Sequence, residues 1–243
     1  MTAEATAPAP QGLGLARLFP EETARRRILQ KTLSLGKPPV VIASMSRSGS
    51  TMLYKALASS WARARFGVLA DRFEPILIEA AWKLDETPLI GGVLYKTHDL
   101  PDHMPRPSRA KVVFTFRKAS EVALSIADRR FERGEKWFLR HRIHLRGEGD
   151  FEAFTRSDTL GLEAQIDRWS TAQGLDVLGL RYETLWEHRG EIEDFLGFKV
   201  ELPEQRGSKR SADLGSVAAI LAETYAPLDR KIAAMPDVFR LKA

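Results

Sequence analysis

The chain has 243 residues, a formal charge of +5 and no cysteine. That length suits one large domain with a core that needs no staples, and the missing thiols exclude disulfides and thiolate-held metals, which fits a reducing, cytoplasmic setting. No apolar run reaches the ~20 residues of a membrane span, and Arg and Lys are interspersed with Asp and Glu, which argues against nucleic acid as a partner.

Met1 to Gln11 is rich in Ala, Thr and Pro, so residues 1–20 are expected to be a flexible leader and 21–243 a single domain. Glu21 to Leu35 reads as an amphipathic helix stopped by Gly36 and Pro38-Pro39. Val40 to Ala43 is a short apolar run suited to a strand buried on both faces. A Ser/Gly turn follows, then a helix over Thr51 to Trp61. Gly92 to Tyr95 and Lys111 to Phe116 are further strands, with a helix over Ser120 to Glu132 after the second. Phe151 to Ala172 is largely helical with a break near Asp158 or Gly161. Leu175 to Leu180 is a fourth strand and Glu183 to Leu196 a helix. Ser211 to Tyr225 and Leu228 to Met235 close the chain as helices. Strands alternating with helices predict an α/β, three-layer sandwich. Its central, mostly parallel sheet of about 4–5 strands would be flanked by helices. Ligands of such sheets sit at the carboxyl ends of the strands.

The residues after each strand carry the chemistry. Ser44-Met45-Ser46-Arg47-Ser48-Gly49-Ser50-Thr51 leaves a strand and enters a helix. Small residues let several N–H groups face one point at a helix N-terminus, which makes a P-loop-like cradle for phosphate or sulfate, and Arg47 adds a forked cation. Ser50 follows Gly49 where the nucleotide-kinase loop has lysine, and the earlier glycine is missing. The alternative is a Ser-rich helix cap with no ligand. After the second strand, His98 could act as a general base and Lys96 could stabilise charge on a leaving oxygen, or both could be a solvated loop. After the third, Arg117 and Ser125 could clasp a second anion. They could equally be a strand-end ion pair and a small residue at a helix–sheet contact. After the fourth, Tyr182 could contact a purine or simply line the core edge. His103, His141, His144 and His188 lack such settings and read as ordinary.

In this order the four segments resemble the PAPS-dependent sulfotransferase family (PAPS is 3'-phosphoadenosine 5'-phosphosulfate). The first is similar to that family's 5'-phosphosulfate loop, Pro-Lys-Ser-Gly-Thr-Thr-Trp, with Arg47 at the lysine position and Ser48, Gly49, Ser50 and Thr51 in register. Met52 stands where the family often has a tryptophan near the adenine. Lys96-Thr97-His98 resembles the Lys-Thr-His-Leu-Pro segment, which would make His98 the catalytic base with Lys96 beside it. Arg117 and Ser125 have the family's 3'-phosphate spacing. Tyr182-Glu183 resembles its Tyr-Glu-Asp-Leu segment, whose tyrosine contacts adenine. The family's C-terminal Arg-Lys-Gly loop is matched approximately by Gln205 to Arg210, so Arg206, Lys209 or Arg210 would grip the 3'-phosphate.

The resemblance implies PAPS as sulfuryl donor, no metal, and catalysis by His98, Lys96 and Arg47. The acceptor would be a small molecule or carbohydrate bearing a hydroxyl or amine. Residues 66–88 and 131–154 would form the variable acceptor loops. The His141–Arg146 stretch could meet an anionic acceptor and is read instead as a solvated helix face. The rival functions are an ATP/Mg²⁺ small-molecule kinase, opposed by the missing loop lysine, and a non-catalytic anion- or nucleotide-binding module.

Overall fold

The computed structural model describes residues 20–34, 36–205 and 214–243. Six strands form one sheet in the order β2-β3-β1-β4-β5-β6. They are β1 (Val40–Ser44), β2 (Ile78–Ala80), β3 (Leu94–Thr97), β4 (Lys111–Phe116), β5 (Asp176–Arg181) and β6 (Val238–Leu241). All neighbours pair in parallel except β5 and β6. The α/β sandwich expected from the sequence is present, with more strands than the expected four or five.

The two extra strands are both at the edges. β2 is three residues long and carries no apolar run of its own; it is a strand because Leu94 N–H donates to Leu77 O and Ala81 N–H to Lys96 O, both at 2.8 Å. β6 runs antiparallel along β5, with Gly179 opposite Phe239. A Cβ at Gly179 would overlap the Phe239 ring, so the glycine is what lets this aromatic lie across the strand.

The helices are α1 (Pro20–Leu33), α2 (Ser50–Phe66), α3 (Ala70–Phe73), α4 (Ala119–Arg133), α5 (Glu135–His144), α6 (Phe151–Arg156), α7 (Leu162–Ser170), α8 (Arg189–Leu196) and α9 (Gly215–Ala233). The expected break between two helical segments near Asp158 and Gly161 falls between α6 and α7. Two expectations need correction. α5 occupies a stretch expected to be acceptor loop, with only its end, from His141, read as helix: Gly134, at φ 79°, ends α4 and the chain turns straight into a new helix. The last helix is continuous through Pro227, because Tyr225, Leu228 and Ile232 are buried where it packs on α4 and α6, and that packing outweighs the single backbone bond that proline removes.

Alternate residues of the central strands face opposite cores. Val40 and Ile42 of β1 pack with Leu53, Leu57 and Trp61 of α2 and with Ile192 and Phe195 of α8. Val41 and Ala43 pack on the other side with Val122, Ala123 and Ile126 of α4, Phe138 of α5, Trp169 of α7 and Tyr225 of α9. Hence β1 and β4 are neighbours in the sheet, but the helices that follow them lie on opposite faces. The gap this leaves beyond their carboxyl ends is where open α/β sheets bind ligands. Among the described residues no helix is long and apolar enough to cross a membrane.

Candidate functional site

The strand order β3-β1-β4-β5 brings the four chemically rich segments side by side on one sheet edge. From β3 come Lys96 and His98, from β1 the turn through Arg47 and Gly49, from β4 Arg117, and from β5 Tyr182.

The turn after β1 is anchored by β4. Met45 N–H donates to Thr115 O at 2.9 Å, and Ser48 Oγ bonds Thr115 O (2.9 Å) and Met45 O. The Ser48 side chain is therefore committed to the scaffold, which leaves backbone N–H groups and Arg47 to meet a ligand. Two residues of the turn are left-handed, Arg47 at φ 57° and Gly49 at φ 78°. Glycine is required at 49 for a second reason: a Cβ there would overlap the Tyr182 ring. Arg117 lies over that ring, 5.1 Å from its centroid, and Trp186 meets it edge-on at 5.5 Å.

Cations gather here, with Glu183 and Glu121 facing Arg117. Arg47 Nε donates to Ser125 Oγ at 3.0 Å. Burial holds its guanidinium below the ordinary value, and Arg129 and Arg133 push the same way while Asp128 opposes them. Lys96 Nζ donates to Thr51 Oγ1 at 2.7 Å, and burial with Arg47 nearby lowers its pKa to about 8. Arg117 Nε is buried without a hydrogen bond, and the carboxylates facing its guanidinium stand off at 3.4 Å (Glu183) and 3.7 Å (Glu121). Ser125 thus meets Arg47 directly, while Arg117 turns toward Glu183, Glu121 and Tyr182. Met52 is half-buried in the first turn of α2 and lines a cleft of about 470 Å³ with Lys55, Arg63 and Pro203. Arg206, Lys209 and Arg210 lie outside the described residues.

His98 is 6% exposed. Its Nδ1 lies 2.9 Å from Ser44 Oγ and 3.2 Å from Ser44 O. A carbonyl oxygen only accepts, so Nδ1 carries the proton and Nε2 is the basic nitrogen. Burial, then Lys96, lowers the His98 pKa to about 3, so the ring is neutral at physiological pH. Its backbone is fixed as well. Gln165 donates to His98 O, and Trp169 donates to Asp99 O at 3.1 Å. The Asp99 carboxylate accepts from Leu84 N–H, Leu100 N–H, His103 and Arg146. Burial alone would raise its pKa; the bonds from Arg146, Leu84 and His103 outweigh that and hold it below the usual range.

The sequence reading missed two residues here. His141 Nε2 lies 2.6 Å from Ser46 Oγ, and its ring meets that of His98 edge-on with centroids 6.1 Å apart. His144 stacks on Trp82 at 4.1 Å, and Trp82 lies 6.1 Å from His98. The His141–Arg146 stretch is therefore not a solvated face. His141 and His144 turn inward, Leu145 is buried and Arg146 pairs with Asp99 and Asp85, while Ile143 points outward. The two stretches expected to form acceptor loops do meet, through Trp82 from one and His144 from the other. The spacing Trp137-x3-His141-x2-His144 was the available signal, because it puts the three on adjoining faces of one helix. No family model matches the chain, and the search of curated proteins finds no match.

Proposed function

We propose that this chain transfers the sulfuryl group of PAPS to a hydroxyl or amine of a small-molecule or carbohydrate acceptor. One observation carries the reading. The loop after β1, with Arg47, the strand-end Arg117 and a neutral histidine gather at the carboxyl ends of neighbouring strands, where Arg47 lies among other cations and the carboxylates facing Arg117 stand no nearer than 3.4 Å. A nucleotide with two separated anionic groups answers that arrangement. The residues fit such a donor. The unbonded Arg117 Nε and the excess of cations around Arg47 both call for an anion, and the Glu183 and Glu121 contacts to Arg117 are long enough to yield to one.

In this reading the N–H groups of residues 48–51 hold the 5'-phosphate. Arg117 and Ser125 hold the 3'-phosphate, with Arg47 free to swing from Ser125 toward the reacting sulfur. His98 Nε2 takes the proton of the acceptor hydroxyl as its oxygen bonds to sulfur. The bond from sulfur to the 5'-phosphate oxygen breaks on the opposite side, and Lys96 and Arg47 stabilise the charge left on that oxygen. The imidazolium that forms has Ser44, and no carboxylate, on Nδ1. It is therefore stabilised by the net negative charge of the bound nucleotide, and His98 gains basicity only once the donor is bound.

Calorimetric titration with adenosine 3',5'-bisphosphate, set against ATP with Mg²⁺, tests the proposal. Tight binding of the bisphosphate and weak binding of ATP are expected. The reverse order would favour the kinase reading and overturn this one.

A further inference from the structure

The proposed chemistry uses His98 and leaves the imidazole beside it without a role. His141 comes from α5 and follows no strand. It is joined to Ser46, a fully buried residue of the turn after β1, at 2.6 Å. Ser44, two residues earlier, holds His98 in the same manner at 2.9 Å. The end of β1 thus carries two buried serines, each anchoring an imidazole from a different element. The His141 ring is also clamped flat against Trp137, one turn earlier on the same helix, at 4.8 Å and 13°.

The turn these serines belong to is not a relaxed one. Arg47, directly after Ser46, is left-handed at φ 57°, a conformation disfavoured for any residue with a Cβ. Such a conformation persists only where its surroundings hold it. β4 holds residues 45 and 48 through Thr115. Among the described residues, the bond to the Ser46 side chain comes from His141. The helix that carries Trp137, His141 and His144 is therefore tied to the loop that presents Arg47 to Ser125.

We propose that His141 is a positioning residue of the anion-binding turn: by fixing Ser46 it keeps the Arg47 backbone left-handed, and so couples the acceptor-side helix α5 to the donor-side loop. The proposal rests on reading that turn as an anion site. It implies that removing an imidazole which itself touches no anion weakens anion binding. By reciprocity, an acceptor that orders α5 tightens the donor.

The test measures the affinity of the full chain for adenosine 3',5'-bisphosphate and, separately, for inorganic sulfate. The proteins are the wild type, His141→Ala, His141→Gln, Ser46→Ala and the double variant His141→Ala/Ser46→Ala, each with a thermal melt. Loss of one buried hydrogen bond predicts about threefold to tenfold weaker affinity in His141→Ala and in Ser46→Ala. The double variant should be no weaker than either single one, because both remove the same interaction. His141→Gln, whose amide can still reach the hydroxyl, should recover most of the loss. Unchanged affinities beside a lowered melting temperature would reduce His141 to a structural residue and overturn the proposal, as would additive losses in the double variant. If the wild type binds sulfate but not the bisphosphate, the PAPS reading fails while the sulfate series still decides the role of His141. If it binds neither, there is no anion site to position and the proposal falls. Should His141→Ala not fold, Ser46→Ala and His141→Gln decide, and full affinity in Ser46→Ala overturns it.

Discussion

Lowering the pH should destabilise this protein through His98 in a way that can be isolated. In the fold the ring is 6% exposed, and burial, then Lys96, holds its pKa at about 3. In the unfolded chain it returns to about 6.5. Between these values the unfolded state binds a proton that the folded state does not, so stability falls as pH drops through 6.5 and goes on falling toward 3. At pH 5 the penalty is 2.303RT times 1.5 pH units, about 2 kcal/mol. That is a sizeable fraction of the ~5–15 kcal/mol typical of a domain. His141, which burial also holds well below its ordinary value, shifts the balance in the same direction. Urea unfolding of the wild type and of His98→Gln, each at pH 7.5 and pH 5, separates the His98 contribution, because His141 and the carboxylates are common to both proteins. The wild type should lose about 2 kcal/mol more than the variant between the two pH values. Equal losses would mean that His98 is hydrated or charge-compensated in the fold, and the account of a neutral, buried base would be refuted.

Three further outcomes are expected. Gly49→Ala must place a side chain at φ 78° and against the Tyr182 ring, so it should lose about 1–3 kcal/mol in chemical unfolding, partly recovered by adding Tyr182→Ala. His98→Ala should lower sulfuryl-transfer turnover by about 10²–10⁴-fold while calorimetry shows adenosine 3',5'-bisphosphate still bound; retained turnover would remove the base assignment. Arg117→Ala should weaken the bisphosphate by about 2–5 kcal/mol and adenosine 5'-phosphate much less; equal weakening would deny Arg117 the 3'-phosphate.

Much of the sheet was legible because its signals are local. Val40 to Ala43 is a continuous apolar run and Lys111 to Phe116 a mostly apolar one, and the residues directly after them are polar, which is what parallel strands buried on both faces look like. The edge strands were not legible. Ile78–Ala80 is too short to carry a period, and Val238–Leu241 is a strand only because β5 lies alongside it. At the candidate site, position just after a strand singled out Arg47, His98, Arg117 and Tyr182, which the parallel strands bring to one edge, and the family resemblance joined them into one reading. The same logic could not find His141 or His144, which lie on a helix and follow no strand, nor foresee that Ser125 would meet Arg47 while Arg117 turned to Glu183.

The sequence by itself determined the central strands and the Ser/Gly turn that follows the first of them, because apolar runs, small residues and strand ends are properties of neighbours along the chain. Only the tertiary structure decided which imidazoles surround that turn and which carboxylates approach its cations. Those depend on how α4 and α5 pack against the sheet, and packing joins residues such as Ser46 and His141 that stand 95 positions apart.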